Sequence, residues 1–385
     1  MNRIDELIAE LCPEGVKFQS IGDVVEFRRG KRVVRKNLAN EGELEYPVYQ
    51  NSLIPLGYFG ESNAPAESAF IIVAGAAGDI GFSAVDYWAA DDCFYAHCPD
   101  FVDDRFLYHF LLENQRLLKS RVRKASIPRL PRASIEKLKF PVPPLEVQRV
   151  IVDILDQFVK LEAELEAELE ARKRQYEYYR RELLTFGEDV EWSTLGDVSL
   201  KVISGGTPSS GKSSYYGGSI PWLRTQEVDF RDIHTTSMTI TDAGLENSSA
   251  KWIPADCVIV AMYGATAAKS AINKIPLTTN QACCNLQINP SKAEYRYVFH
   301  WVAKEYENLR NLGEGSQSNI NAKKVREFSI PLPSLDEQRR IVEVLDKFDA
   351  LVNDLSSGLP AEIAARRKQY EYYRDQLLTF KELKS

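Results

Sequence analysis

Residues 206–213, GTPSSGKS, match the GxxxxGK[ST] pattern of phosphate-binding loops. In such loops a helix begins at the lysine, so that its first amides and the ammonium meet the phosphates of a nucleotide. Here Lys212 is followed by SSYYGGSIP, whose glycines and proline predict that the loop continues. No apolar strand ending in an aspartate suited to Mg²⁺ stands out downstream. We therefore predict a surface loop, with a P-loop nucleotide hydrolase as the alternative.

The other patterns that suggest catalysis are incomplete. Residues 75–81, GAAGDIG, follow the apolar run FIIVA but lack the spacing of a dinucleotide-binding loop, and FSAV at 82–85 predicts a second strand after a tight hairpin. Asn289-Pro290 is followed by Ser291, so the Asn-Pro-Pro-aromatic pattern of DNA methyltransferases is missing. The four histidines are too scattered to suggest a metal site. We predict a chain without catalytic residues and without a bound metal or cofactor.

Basic residues are clustered although the net charge is −7. Residues 28–36 contain six bases and no acid, and residues 116–139 contain nine bases and one acid. Such runs can bind phosphates, but they are equally typical of a solvated surface. The net charge alone therefore neither supports nor excludes a nucleic-acid partner.

An internal repeat determines the organisation of the chain. The sequence QYEYYR occurs at 175–180 and again at 369–374, and each copy is followed two residues later by LLTF. Upstream, PVPPLEVQRVIVDILDQF at 141–158 parallels PLPSLDEQRRIVEVLDKF at 331–348. Chance does not produce matches of this length, so the chain contains two related units.

The parts that precede these blocks are more divergent. VKFQSIGDV at 16–24 parallels VEWSTLGDV at 190–198, and FIIVAGAAGDIGFSAV at 70–85 parallels CVIVAMYGATAAKSAI at 257–272. The first 15 residues stand where the helix end stands before the second copy. We therefore predict a closed cycle of domain, helix, domain and helix.

Each conserved block predicts a long amphipathic helix. In the first copy, from about Leu145 to Leu184, such a helix would be roughly 60 Å long, more than one small domain can cover. In the second copy SSGLP at 356–360 predicts an interruption. Two such helices related by the repeat are expected to pair as an antiparallel coiled coil, with one globular domain at each end. The apolar stripe of the first helix consists of Ile151, Leu155, Phe158, Leu161, Leu165, Leu169, Tyr176, Tyr179 and Leu183.

Composition indicates a globular chain outside the membrane. No apolar run approaches the roughly 18–20 residues of a membrane span, and the N-terminal segment carries acids where a signal peptide would be basic. The six cysteines form neither a CxxC pair nor a disulfide ladder, so we expect buried free thiols and a cytoplasmic location.

Two divergent domains, each followed by a helix ending in RKRQYEYYRRELLTF or RRKQYEYYRDQLLTF, resemble the specificity subunit of type I restriction-modification systems over essentially the whole chain. The segments 204–225 and 316–338 look like the entrance and the exit of a recognition domain of that family, whereas the first domain departs from the family at both places. The resemblance implies an α+β fold in a pseudo-two-fold cyclic arrangement. Its parts would be an N-terminal target-recognition domain at 1–140, a central spacer helix at 141–186, a C-terminal target-recognition domain at 187–330 and a second spacer helix at 331–385.

The resemblance also implies a function and partners. Each globular domain would read one half of a bipartite target in double-stranded DNA, and the helices would set the spacer and bind two methyltransferase subunits. S-adenosylmethionine would be held by those subunits, and restriction subunits would join the full complex. A coiled-coil scaffold with no DNA role remains an alternative. Phosphates and base edges would be contacted by Arg28, Arg29, Lys31, Arg32, Gln50, Asn51, Arg129 and Arg132 in the first domain and by Thr207, Lys212, Arg224, Thr225, Gln226, Ser316, Gln317 and Asn319 in the second.

The segment LEAELEAELEA at 161–171 resembles the four-residue repeats that set spacer length in this family. Four helical residues add about 6 Å and about 40° of rotation. One base pair adds about 3.4 Å and about 34°. The match in rotation predicts that one quartet corresponds to about one base pair of spacer.

Overall fold

The computed structural model describes residues 2–42, 45–313, 319–354 and 356–383. The chain divides into two compact units, one formed by Met1–Leu165 with Ile363–Ser385 and the other by Glu166–Glu362. Each unit mixes helices with strands, as predicted for an α+β fold.

The first unit contains two larger sheets and a covering helix. The four-stranded sheet has the order β2-β8-β5-β6, and the three-stranded sheet has the order β4-β3-β7. Strands β1 and β9 form a separate antiparallel pair. Its elements are α1 (Asn2–Leu11), β1 (Lys17–Ser20), α2 (Ile21–Val24), β2 (Glu26–Arg29), β3 (Tyr46–Tyr49), β4 (Tyr58–Phe59), β5 (Ser68–Ile72), β6 (Ile80–Ser83), β7 (Trp88–Ala89), β8 (Cys93–His97), α3 (Asp104–Glu113), α4 (Gln115–Ser120), α5 (Arg132–Glu136), β9 (Lys139–Val142) and the first half of α6 (Leu145–Leu183).

The second unit repeats this plan with a larger sheet. Its five-stranded sheet has the order β11-β19-β16-β17-β13, and its four-stranded sheet has the order β14-β12-β18-β15. Its elements are β10 (Trp192–Thr194), β11 (Ser199–Ser204), β12 (Tyr216–Leu223), β13 (Arg231–Ile233), β14 (Thr239–Ile240), α7 (Asp242–Glu246), β15 (Trp252–Ile253), β16 (Val258–Ala261), β17 (Ser270–Asn273), β18 (Leu277–Thr279), β19 (Cys283–Ile288), α8 (Tyr295–Lys304), α9 (Tyr306–Asn311), α10 (Ala322–Arg326), β20 (Ser329–Pro331), α11 (Leu335–Asn353) and the start of α12 (Leu359–Leu378).

The most apolar strand of each unit is buried on both faces. In β5, Ile71 faces the cluster that contains α3, and the neighbouring Ile72 faces a second cluster around Tyr87. In β16, Val260 and Ile259 divide in the same way between two clusters. Because successive side chains of a strand point to opposite faces, a strand between two apolar layers must be apolar throughout. This explains the runs FIIVA and CVIVA.

The glycine-rich stretch 75–81 connects two antiparallel strands, so the hairpin prediction is confirmed. Strand β6 begins at Ile80, two residues before the predicted start, and the connection is longer than a tight turn. Gly75 adopts a φ of 81°, in the left-handed region that favours glycine.

The long helices have the predicted positions. Helix α6 is continuous over 39 residues, and the second copy is interrupted between α11, which ends at Asn353, and α12, which begins at Leu359. The Asp354 carboxylate accepts hydrogen bonds from Ser356 and Ser357, and these bonds hold its pKa well below the usual range. Side-chain hydrogen bonds between neighbouring residues thus replace helical hydrogen bonds where α11 stops.

Within the first unit the C-terminal segment binds beside the start of the first strand. The amide of Val16 donates to the carbonyl of Lys381 at 2.8 Å, and the amide of Leu383 donates to the carbonyl of Val16 at 2.9 Å. The residues after α12 therefore lie beside Val16, the residue at which the repeat of the first unit begins.

The cysteines are free thiols, and all except the half-buried Cys98 are buried, as expected. Burial raises the pKa of the Cys257 thiol to about 12, with a smaller contribution from Asp256. In the described part of the chain, no helix is both long enough and apolar enough to span a bilayer.

Candidate nucleic-acid interface

A glycine in each unit allows one loop to pass against the end of a strand. A Cβ atom at Gly30 would lie 2.1 Å from the carbonyl oxygen of Ala90, and one at Gly205 would lie 2.1 Å from that of Thr279. Only glycine tolerates this approach. The basic segment after Gly30 and the GTPSSGKS segment after Gly205 therefore begin at equivalent positions of the two units, although their sequences differ.

In the first unit the end of β7 and the segment after β3 meet at this place. The amide of Lys31 donates to the carbonyl of Ala89 at 2.9 Å, and the amide of Ala90 donates to that of Tyr49 at 2.9 Å. Gln50 follows Tyr49 directly. The segments that begin at Lys31 and Gln50 are thus held side by side by backbone bonds.

The turn after β5 joins the same group of segments. Its Ala76 amide donates to the carbonyl of Asn51 at 3.0 Å, and its Val73 carbonyl accepts from the amide of Leu130 at 2.9 Å. Ala74 also forms a bridge with Arg129. The structure therefore brings Asn51 and Arg129, which are far apart in sequence, onto one supporting turn.

The second unit builds an equivalent frame. The amide of Asn280 donates to the carbonyl of Leu223 at 2.9 Å, which places Arg224 and Thr225 where Gln50 and Asn51 lie in the first unit. The Thr266 hydroxyl donates to the Thr225 carbonyl at 2.8 Å. Asn319 precedes Ile320, whose amide donates to the carbonyl of Met262 at 2.9 Å.

Some of the side chains predicted from the sequence of the first unit are bonded within the protein, and others are exposed to solvent. Arg28 pairs with Glu26 at 2.7 Å, and Arg29 donates to the carbonyl of Asp91 at 3.0 Å. Arg132 pairs with Glu136 at 2.6 Å on α5. Lys31, Arg32, Asn51 and Arg129 are exposed, and Gln50 is half-buried.

The selected side chains of the second unit are mostly engaged with neighbours. Thr207 bonds to Gln281, and Lys212 donates to the Tyr215 hydroxyl at 3.0 Å while lying over its ring. Arg224 donates to Ser237 at 3.4 Å. Gln226 lies beside the Arg224 guanidinium in the 3-10 turn Thr225–Glu227, and Asn319 is exposed. Ser316 and Gln317 lie outside the described residues.

The GTPSSGKS segment has no phosphate-binding geometry. Lys212 is followed by a single 3-10 turn, Ser213–Tyr215, and then directly by β12. No helix N-terminus is present at the lysine, so the amides that would meet a nucleotide are not aligned. The prediction of a loop is confirmed.

We expect that the purified chain does not hydrolyse ATP and that Lys212→Ala changes nothing in a phosphate-release assay. Gly211→Ala is a matched control, because a methyl group there meets no atom within 4 Å. ATP turnover that is lost in Lys212→Ala and kept in Gly211→Ala would contradict the assignment.

One feature of each unit was missed from the sequence, where the histidines were considered only as possible metal ligands. His109 of α3 is fully buried, and its ring contacts Asp156 of α6 at 2.8 Å and the Tyr370 hydroxyl of α12 at 3.0 Å. Burial raises the pKa of Tyr370 to about 12. In the tautomer that donates its Nε2 hydrogen to the Asp156 carboxylate, Nδ1 accepts a hydrogen bond from the Tyr370 hydroxyl.

The second unit contains the same arrangement. His300 of α8 is fully buried and contacts Asp346 of α11 at 2.7 Å and the Tyr176 hydroxyl of α6 at 3.4 Å. Superposing the repeats would have found it, because FLYHF at 106–110 aligns with YVFHW at 297–301 and the tyrosines occupy equal places in the two QYEYYR copies. These two clusters, which we call the His-Asp-Tyr clusters, join α3 or α8 of each unit to its long helices.

An arginine strengthens each cluster. Arg105 pairs with Asp156 at 3.0 Å, and Arg296 pairs with Asp346 at 2.6 Å. Burial by itself would raise the pKa of Asp346, but the hydrogen bonds from His300 and Arg296 outweigh burial and lower it. The carboxylate is therefore held in its charged form.

Comparison with known proteins agrees with this architecture. The family model for the type I restriction modification DNA specificity domain matches residues 13–171 and 187–365. The EcoR124I/EcoR124II specificity subunit of Escherichia coli is 39% identical over 260 residues, which are 64% of this chain and 64% of that protein. S.HindORF215P of Haemophilus influenzae, provisionally described as a type I restriction enzyme specificity subunit, is 31% identical over 314 residues, 76% of this chain and 77% of its own length.

Two solved structures share the fold. The S subunit of a type I restriction-modification system from M. genitalium gives a TM-score of 0.66 at 14% identity and covers 94% of this chain and 96% of its own. A chain from a structure of complex assembly and conformational transition of the type I R-M system gives 0.61 at 17% identity, covering 94% and 97%. At these identities the likeness concerns the fold.

Proposed function

The chain belongs to the family defined by the type I restriction modification DNA specificity domain, and on that premise we propose that it is the sequence-reading subunit of a type I restriction-modification enzyme. Residues 1–140 and 187–330 would each read one half of a bipartite DNA target. The supporting observation is that equivalent backbone frames, built at Gly30 and Gly205, present different side chains in the two units.

Two half-sites of different sequence require different side chains, and loops of different sequence on the same backbone frame would supply them. In the first unit Lys31, Arg32, Gln50, Asn51 and Arg129 would supply cations and amides. In the second unit the equivalent segments would supply Thr207, Arg224, Thr225, Gln226 and Asn319. Cations bind phosphates and position the protein, whereas amides, hydroxyls and bidentate arginines discriminate base edges in the major groove.

We assign the long helices to spacing and assembly. In the first unit Phe158 stacks on Tyr373 with ring centroids 5.3 Å apart, and the later residue Glu162 pairs with the earlier Arg367. In the second unit Tyr179 stacks on Phe348 at 5.3 Å. As the residue number rises along α6, the number of the contacted residue in α12 falls, so the two helices run in opposite directions. This supports our proposal of an antiparallel coiled coil and of a pseudo-two-fold cyclic arrangement of the two recognition domains.

The partners follow from the same proposal. Two methyltransferase subunits would bind the helices and hold S-adenosylmethionine, and restriction subunits would complete the nuclease. The chain itself would contribute recognition and no catalytic group. The buried free thiols fit a proposed cytoplasmic location, where these subunits would act on DNA.

The decisive experiment maps methylated adenines in DNA after co-expression of the chain with its cognate methyltransferase subunits. We expect one bipartite motif with two half-sites and a fixed spacer. Arg32→Ala should weaken methylation of that motif, because its guanidinium is exposed and we propose that it contacts a phosphate. Ala substitution of Arg340, an exposed arginine on α11 paired with Glu337, is the matched control. Methylation without sequence preference would favour the scaffold alternative.

A further inference from the structure

We propose that Ile54 reads the methyl group of a thymine in the half-site bound by the first unit, a specificity contact that rests on the proposed function. The Ile54 side chain is 78% exposed, more than any other large apolar side chain in the described part of the chain. Single exposed apolar residues are common on protein surfaces, so the position and surroundings of Ile54 carry the inference.

The loop that presents Ile54 is ordered by its own hydrogen bonds. The Ser52 hydroxyl donates to the carbonyl of Ile54 at 2.9 Å. The amide of Leu56 donates to the carbonyl of Val48 at 2.8 Å, and the amide of Val48 donates to that of Gly57 at 2.9 Å. Pro55 restricts the backbone further. The side chain is therefore held outward by a preorganised loop.

The loop stands on the candidate interface. Ala76 of the turn after β5 donates to the Asn51 carbonyl at the base of the loop. The same turn also bridges to Arg129, which forms a second bridge with Arg123 in a basic hairpin. Ile127, 54% exposed, lies between these two arginines. Two exposed isoleucines thus extend from loops anchored on one turn, and the loop of Ile127 also carries Arg123, Lys124 and Arg129.

This combination favours DNA over an apolar protein partner. A protein-binding patch is normally depleted in charge at its centre, whereas an apolar loop and a basic hairpin held on one turn suit a phosphate-lined groove. Among base edges in the major groove, the thymine methyl is the apolar group. Gln50 and Asn51 precede Ile54 in the same loop, and amides of this type pair with adenine. The loop therefore offers partners for both bases of an A·T pair.

The second unit lacks this element. At the equivalent place it has the 3-10 turn Thr225–Glu227, and the next apolar residue, Val228, is fully buried. No large apolar side chain from Arg224 to Ile240 is among the exposed ones. We therefore assign methyl recognition to the first unit alone.

The test uses the complex of the full chain with its methyltransferase subunits and a duplex containing the mapped motif. Each thymine of both half-sites is replaced in turn by deoxyuridine, which removes only the C5 methyl group. We expect one position in one half-site at which the replacement weakens binding about fourfold, the effect of exposing one methyl group. In Ile54→Ser the unmodified duplex should bind about as weakly, and the sensitivity to deoxyuridine at that position should disappear.

Controls separate this contact from folding and from assembly. Ile54→Val should keep the sensitivity, and Val85→Ser, which changes another exposed apolar residue of the first unit, should leave both affinity and sensitivity unchanged. Absence of any sensitive thymine, or sensitivity that persists in Ile54→Ser, overturns the inference. Loss of methyltransferase binding in Ile54→Ser without DNA would assign the residue to a protein partner and also overturn it. Failure of the proposed function looks different, because the wild-type complex would then not distinguish the motif from a scrambled duplex.

Discussion

Inserting one LEAE quartet after Glu168 is expected to lengthen the preferred spacer between the two half-sites by about one base pair. Helix α6 runs without interruption from Leu145 to Leu183, and the insertion point lies within it. Four residues turn the helix by about 40° beyond one full turn, close to the roughly 34° of one base pair. The recognition domains should therefore regain their angular phase on the duplex at the longer spacer.

The surface of this segment should tolerate the insertion. Leu161 is 45% exposed, and Glu168 is exposed and pairs with Arg172 at 2.7 Å within the helix. Added glutamate and leucine side chains continue a pattern with high helix propensity. The insertion thus adds length and rotation between Leu165 and Leu169, the latter of which packs against the core of the second unit.

Mapping of methylated adenines in the insertion variant measures the result. Deletion of one quartet should shorten the spacer by the same step. A three-residue insertion is the matched control, because it leaves the helix about 60° short of a full turn and should abolish methylation at neighbouring spacers. An unchanged motif in the quartet variant would refute the role of α6 as the spacer.

Asp346→Ala is expected to lower the free energy of unfolding of the second unit by about 2–4 kcal/mol. The carboxylate is the shared partner of His300, which is fully buried, and of Arg296, whose side chain is 16% exposed. Removing it leaves the buried Nε2 of His300 without its acceptor and takes one carboxylate away from the partly buried Arg296, which keeps its hydrogen bonds to Asp232. Breaking such a pair costs more than forming it contributes, since the remaining groups stay away from water.

Denaturant unfolding of the full chain, followed by hydrogen exchange of α8 and α11, measures this effect. Asp336→Ala on the same helix is the matched control. Its carboxylate is 84% exposed and pairs with Arg339, so we expect a loss of about 0–0.5 kcal/mol. Equal losses in the two variants would show that the His-Asp-Tyr cluster contributes no more than a surface pair.

The difference in unfolding free energy between the wild type and Asp346→Ala is expected to depend on pH. The pKa of Asp346 is lowered in the folded chain, so its contribution is complete above the unfolded pKa of about 4 and is lost as the pH falls towards the lowered value. The gap in stability between the wild type and Asp346→Ala should therefore narrow below about pH 4.

The His-Asp-Tyr clusters also show why equal residues recur in the two copies. Tyr176 and Tyr370 each contact a buried histidine, which explains one identical position of QYEYYR. Tyr178 and Tyr372 are 60% and 58% exposed, so the fold of each unit does not require their identity. A shared external role, such as the proposed binding of two equal methyltransferase subunits, accounts for such repeated exposed residues.

Much of the architecture could be predicted because it depends on local and periodic patterns. The repeat of QYEYYR, the 3.6-residue spacing of Ile151, Leu155 and Phe158, and the helix-breaking SSGLP segment act within a few residues of chain. Backbone geometry and the burial of one apolar face translate such patterns directly into helices and their ends. The rejection of the GTPSSGKS motif succeeded for the same reason, because a missing helix start is a local property.

The interface and its supports depended on contacts between distant residues. Asn51 and Arg129 meet on the turn after β5, and His109 meets Asp156 and Tyr370, only after the sheets and helices have packed. One-dimensional spacing cannot indicate which side chains share a turn or which histidine is buried, since these properties follow from the summed packing of the whole unit. The sequence alone thus determined the repeat, the helices and the class of protein, and tertiary packing decided which residues lie together on each candidate interface and which carboxylates bond to the buried histidines.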